Sequence, residues 1–239
     1  MTGRVLSLHR WPVKSMAGEP VQALRVDARG AGGDRTHAVH DVHRGAPRVL
    51  TARQAPRLLA WHASYRTDVD PADPPEPTLR APDGSTYAWS DPALADALEQ
   101  DLGWHGRGLR LHRDVAGQQD LADSLLVTFE ATRADAERGL GQPIDLRRFR
   151  PNLHVELPGA APWAEHSWEG RRLLVGDTEL ELLHPCERCV IPTRDPDTQE
   201  RWAELLRWLH AEHGTCFGIN ARATAPATIQ VGDAVELLR

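Results

Sequence analysis

The chain is poor in cysteine, has no long apolar run and carries no excess of positive charge, and each shortage removes a class of function. Three cysteines in 239 residues do not make a disulfide framework. The fold must therefore rest on hydrophobic cores, for which this length is ample. Reduced thiols suit a cytoplasmic protein, and Met1 to Arg10 hold no apolar stretch of signal-peptide length. No run approaches the roughly 20 apolar residues of a membrane helix, so no membrane partner is expected. A formal charge of -6 argues against a nucleic-acid partner, though local basic clusters can still hold a small anion. No Gly-x-Gly-x-x-Gly signature marks a flavin or nicotinamide site. An iron-sulfur relay, which needs about four cysteines in a compact pattern, is also absent.

What is present is a succession of short apolar runs punctuated by Gly, Pro and Asp. Residues 5–8, 21–26, 38–42 and 58–65 read as strands, the last because Leu59, Trp61, Ala63 and Tyr65 alternate with polar or small residues. Asp91-Pro92 resembles an N-cap with proline at the first helical position, opening a helix that Gly103 ends. The strand pattern restarts at residues 109–112 and 125–129, and Thr132 is placed to cap a short helix. Residues 200–213 put Trp202, Leu205, Leu206 and Leu209 on one helical face, with Gly214 as the stop. Two alternating segments in residues 173–183 meet at Gly176-Asp177, an echo of Val231-Gly232-Asp233. The expected fold class is mainly β with a few helices (α+β). A soft division near residues 114–119 separates units 1–113 and 114–239.

The densest chemistry lies in Cys186-Glu187-Arg188-Cys189, which runs on into a Pro/Asp turn cluster ending Asp195-Pro196-Asp197-Thr198. This places the thiols on a loop at a strand end. A thiolate is the metal-binding and nucleophilic form of cysteine, and Arg188 sets a permanent positive charge beside Cys189 that favours it. Cys189 is the first candidate for chemistry, against the plainer reading of two packed cysteines. A zinc site drawing on His184, Cys186, Cys189, Cys216, His210 and His213 is opposed by spacing, because the last two histidines are closer than the usual pair. A thioredoxin-like role is opposed by the hairpin that precedes the motif.

Four further stretches set basic residues on turns between strands. Lys14-Ser15 follows the first strand, and Gly32-Gly33-Asp34-Arg35 offers two glycines that let backbone approach a ligand. Residues 50–58 carry Arg53, which either shapes a pocket or packs it. Arg147-Arg148-Phe149-Arg150-Pro151-Asn152 contains an Arg-Pro step that predicts extended backbone at Arg150. Guanidinium forks, an amine and a hydroxyl form a cradle for a phosphate ester.

In this order Trp11-Pro12-Val13-Lys14-Ser15, Gly33-Asp34-Arg35, Leu50-Thr51-Ala52-Arg53, Arg148-Phe149-Arg150-Pro151-Asn152, Cys186-Glu187-Arg188-Cys189 and Phe217-Gly218 with Ile229-Gln230-Val231-Gly232-Asp233 resemble a known family. It joins a MOSC N-terminal β-barrel to a MOSC domain, and includes the mitochondrial amidoxime-reducing component and its bacterial relatives. The resemblance spans nearly the whole chain. It implies an N-terminal barrel-like unit packed on a MOSC β-barrel, with a cofactor cleft between them. The cofactor implied is molybdenum bound to molybdopterin, a pterin dithiolene, with Cys189 as metal ligand and catalytic residue and Cys186 as a non-ligand. Lys14, Ser15, Arg35, Arg150, Asn152 and Arg188 are implied cofactor-binding residues. Asp123 and Ser124 lie where the family has Asp or Ser followed by a proline, which is missing here.

The activity so implied is reduction of an N-oxygenated small molecule, with electrons from an external reductase or ferredoxin. The chain stops soon after Val231-Gly232-Asp233, so no appended ferredoxin domain is expected. The alternative is a carrier of molybdopterin or sulfur, with Cys189 as ligand or persulfide site and no small-molecule turnover.

Overall fold

The computed structural model describes residues 2–238 except 44, 66–68 and 117–123. Seven strands with alternating inward apolar residues close into a barrel. In spatial order they are Thr2–Arg10, Leu153–Glu156, Leu125–Phe129, Cys216–Ala223, Thr178–Glu187, Arg172–Val175 and Ala234–Leu237, the last pairing back with the first. Thr178, Leu180 and Leu182 point inward while Glu179 and Glu181 turn away, the period of two that a barrel strand requires. Leu8, Val127, Leu153, Leu173, Leu180 and Ile219 are among the residues filling the interior. All the ring pairings are antiparallel but one, Leu125–Phe129 with Leu153–Glu156. That parallel pair needs a crossover, and helix Glu130–Leu140 supplies it.

The first strand comes from the N-terminal half of the sequence yet closes this barrel: Val5 stands opposite Val155, and Gly3 opposite Val235. Strand Ala23–Asp27 likewise pairs with Ala227–Gln230. A second core, with Val13, Met16, Leu50, Leu58, Trp61 and Leu94 among its members, lies within residues 13–109. It is covered by two small antiparallel sheets and helix Leu94–Leu102. A third core stacks Phe149 on Phe217 at 3.8 Å beneath helix Ala203–His213. Part of the expected division, from residue 117 onward, lies outside the described residues. Among the described residues no helix is long and apolar enough to cross a membrane.

Several local expectations need correction. Residues 58–65 are not one strand. Pro56 opens a 3-10 turn, Pro56–Ala60, that buries the adjacent Leu58 and Leu59, and only His62–Ser64 is strand. The alternation was genuine, but proline at the turn's start and i to i+3 bonds at Leu58 and Trp61 decided the backbone. Asp91 caps a turn, its carboxylate accepting from the Ala93 N–H at 2.9 Å, and the helix begins only at Leu94. Thr132 lies inside its helix, which starts at Glu130, and its hydroxyl donates to Glu165 at 2.9 Å. The last helix starts at Ala203, since Trp202 donates its N–H to the Thr193 carbonyl.

Candidate functional site

The turns at the barrel rim and the loops of the N-terminal unit line a cleft with a cavity volume of about 120 Å³. Lys14, Ser15, Arg35, Ser124, Arg150, Asn152, Arg188 and Cys189 all line it, so the structure brings together every sequence-nominated residue it describes; Asp123 lies outside the described residues. Arg53 lines the cleft as well, which decides between the two roles left open for it. The chain is acidic overall, yet four arginines and Lys14 face this cleft and, among the described residues, no carboxylate does. A buried carboxylate, Asp34, accepts from the Trp11 N–H at 2.7 Å and pairs with the cleft's Arg35. Arg35 in turn donates to the Arg150 carbonyl at 3.2 Å. Arg150 donates to the Met16 carbonyl at 2.6 Å and lies 4.3 Å over the Trp11 ring.

Backbone geometry at the cleft is unusual. Of the six non-glycine residues with positive φ among the described residues, three line it: Ser15 at 68°, Arg35 at 51° and Arg150 at 57°. Each such residue costs about 1–3 kcal/mol, and such strain persists where the surroundings over-determine it. The extended backbone expected at Arg150 is therefore wrong. The following proline disfavours right-handed helical geometry, and the chain escapes it through positive φ, closing the 3-10 turn Leu146–Arg148 with an N–H bond to the Arg147 carbonyl. The reading of Gly32-Gly33 as a ligand approach is also corrected. A Cβ on Gly33 would meet Tyr65 and Val69 at 2.8 Å, so the close approach there is to the protein's own core.

The thiols are placed differently from one another. Cys186 still belongs to strand Thr178–Glu187, whereas Cys189 sits in the loop beyond it; both are half-buried. Arg188 does not turn its fork to Cys189. It donates to the Cys186 sulfur at 2.9 Å and to the Phe149 carbonyl at 2.7 Å, while its Nε is buried with no partner among the described residues. Asn152 also works partly for the fold. Its side-chain oxygen accepts from the Leu126 N–H at 3.1 Å and its amide donates to the His9 carbonyl at 3.3 Å, tying three barrel strands at the rim. Sequence reading missed Thr51 and Asn220. The signal for Asn220 was its polarity between buried Ile219 and Ala221, where alternation turns one residue toward the rim.

This donor set fits a phosphate-bearing, sulfur-ligated metal cofactor. Guanidinium and ammonium groups match a phosphate, and the partnerless Arg188 Nε leaves a buried donor to satisfy. One thiol suits a soft metal. Apolar Leu126, Phe149 and Ile191 supply a dry wall. Among the described residues no three His, Cys, Asp or Glu side chains converge, so a protein-only zinc site has no ligand set here. His213 is stacked on Trp163 at 3.5 Å and His210 is bonded to the Thr215 hydroxyl.

Two family models together cover the closed barrel, its cysteine loop and the N-terminal unit. The MOSC N-terminal beta barrel domain matches residues 2–101, and the MOSC domain matches residues 114–236. The chain belongs to the family that joins these two domains. Human mitochondrial amidoxime-reducing component 1 is 28% identical, over 99% of this chain and 83% of that protein. Molybdenum cofactor sulfurase of Anopheles gambiae is 40% identical over 67 residues, 28% of this chain and 8% of that protein. The crystal structure of the YuaD protein from Bacillus subtilis aligns over 99% of this chain and 96% of its own at 14% identity, with a TM-score of 0.48.

Proposed function

We propose that the chain is a molybdenum-pterin-dependent reductase of N-oxygenated small molecules that takes its electrons from a separate donor. One observation carries this reading: a basic cleft, with no carboxylate among its described lining residues, that presents a single loop thiol, Cys189, in a chain whose relative is named for amidoxime reduction. The bound group supplies the two electrons that reduce an N–O bond. The chain's own residues hold and screen it. Cys189 offers the thiolate, Lys14, Arg35 and Arg150 neutralise the phosphate, and Ser15 and Ser124 offer hydroxyls. Phe149 and Ile191 exclude water, which strengthens each of these charge interactions.

The test is metal and pterin analysis of the purified protein, followed by an assay with dithionite-reduced viologen. Oxidation of the dye on adding an amidoxime, with no reaction when NADH or NADPH is the sole reductant, is the expected result. Cys189→Ser should abolish it and remove a sulfur from the metal's X-ray absorption spectrum. Cys186→Ser should leave both largely intact, because a serine oxygen can still accept from Arg188. Equal loss in both variants would sink the single-ligand model. Bound pterin without any turnover would instead favour a carrier.

A further inference from the structure

Cys189 and Ile191 wall the cleft from one side, and both lie between strand Thr178–Glu187 and helix Ala203–His213. The cleft's volume of about 120 Å³ falls below the roughly 300–1,000 Å³ of sites that enclose a small molecule, a class that includes a pterin. One wall must therefore move for such a group to enter. The N-terminal wall is tied down through its main chain: Lys14 donates its N–H to the His37 carbonyl at 2.8 Å, Arg35 to that of Trp11 at 2.7 Å and Ala17 to that of Trp61 at 2.8 Å. Residues 190–202 are held in another way. Their backbone bonds turn inward, from Thr193 to Val190, Arg194 to Ile191, Asp195 to Glu200 and Trp202 to Thr193. Side chains fasten the segment to the rim. Arg147 grips Asp197 with two nitrogens at 2.6 and 3.0 Å, and Arg148 donates to Asp195 at 2.7 Å and to the Pro192 carbonyl at 3.4 Å. The Arg148 guanidinium also lies 5.5 Å from the Trp202 ring centre. The Asp197 side chain is 62% exposed and that of Arg147 36%, so the outer pair is a weak fastening that salt screens. Ile191 also lines a neighbouring cavity of about 210 Å³, so drawing it back joins the two spaces. Arg188, just before the segment, is tied to the Thr215 carbonyl at 2.8 Å, and Leu205 and Leu209 behind it are buried. The points free to hinge are therefore Cys189-Val190 and Trp202.

We propose that residues 190–202 form a strap that swings as a unit to open the cleft for cofactor entry, with Arg147–Asp197 and Arg148–Asp195 as its latch. The internal bonds keep the strap whole while the latch pairs, which carry no main-chain ladder, break and reform. Access to Cys189 is then set by the fraction of molecules with the latch open. The assignment rests on the cofactor reading for what enters, but not for the motion.

The experiment uses the full chain, produced in cells that make no pterin cofactor. Asp195→Asn combined with Asp197→Asn removes both latch charges yet leaves an amide oxygen to accept the N–H groups of residues 197 and 198 that Asp195 caps. In this double variant the amides of residues 190–202 should exchange hydrogen about fivefold faster than in wild type. Iodoacetamide, followed by peptide mass, should alkylate Cys189 faster by a similar factor, and high salt should speed both processes in wild type but not in the variant. The fluorescent phosphate-bearing pterin obtained by iodine oxidation of the cofactor should bind at a rate that saturates with its concentration, and the plateau should rise by the same factor. Arg147→Gln, which breaks only the outer pair, should give about a twofold effect and serves as the test if the double variant does not fold. Exchange or alkylation alike in wild type and folded variants overturns the strap. Pterin association equally fast in both proteins, with no plateau, removes the gate and leaves the cofactor reading standing. Faster exchange and alkylation in a chain that binds no pterin keeps the strap and removes the cofactor reading.

Discussion

Arg150 concentrates several demands on one side chain. It carries positive φ, lies over Trp11, donates to the Met16 carbonyl and lines the cleft. Removing a charge-assisted phosphate contact costs about 1.5–3 kcal/mol. Arg150→Ala should therefore lower cofactor occupancy about tenfold or more where supply is limiting, and Arg150→Lys should recover part of it; full loading of the alanine variant would assign the residue another purpose. Glu165 poses a different problem at the same scale. It is buried, it accepts from Thr132, and burial pushes its carboxyl up to about 7. The folded state thus keeps this proton to higher pH than the unfolded chain does. Its contribution is favourable below about 4.5 and is lost as pH rises through 7. Glu165→Gln should raise Tm relative to the parent at pH 8, an advantage that shrinks at pH 5, and a pH-independent difference would show that the carboxyl is not buried in its protonated form.

At the scale of elements, the cleft is made by the ends of strands. The cysteine loop leaves strand Thr178–Glu187, and its partner strand Cys216–Ala223 carries Gly218 at φ 74°. A Cβ there would lie 2.6 Å from the Val127 carbonyl oxygen, on the neighbouring barrel strand. Both conformation and contact forbid a side chain. Gly218→Ala should cost on the order of 1–3 kcal/mol, measured by denaturant unfolding, and should disturb the rim that places Asn220. A neutral outcome would mean that the two strands can separate without cost. The 3-10 turn Pro56–Ala60 shows the complementary point, since a strand-like pattern gave way to local proline geometry.

For the molecule as a whole, the family-model boundary and the barrel do not coincide. Residues 114–239 contain six of the seven ring strands, and the seventh, Thr2–Arg10, lies in the other half. Without it, Leu153–Glu156 and Ala234–Leu237 become open edges, which attract other chains. The fragment 114–239 expressed alone should aggregate, and co-expression with residues 1–113 should restore a folded complex; a monomeric, cooperatively unfolding fragment would contradict this.

The sequence by itself determined what local chemistry dictates. Short apolar runs between Gly, Pro and Asp marked several strands, Gly103 and Gly214 marked the ends of two of the three helices, and the charged and thiol residues on predicted turns gather at one cleft. Tertiary structure decided what depends on residues far apart in the chain. Arg188 binds Cys186 and Phe149 instead of Cys189 because the 149 loop packs beside the strand end. Ser15, Arg35 and Arg150 accept positive φ because bonds linking segments near residues 11–16, 35, 52 and 150 hold them there. Asn220 acquires meaning only when the barrel rim and the loops of the N-terminal unit meet at the cleft. Periodicity reports which face of an element is buried, but not against what, and these features are set by that second, non-local choice.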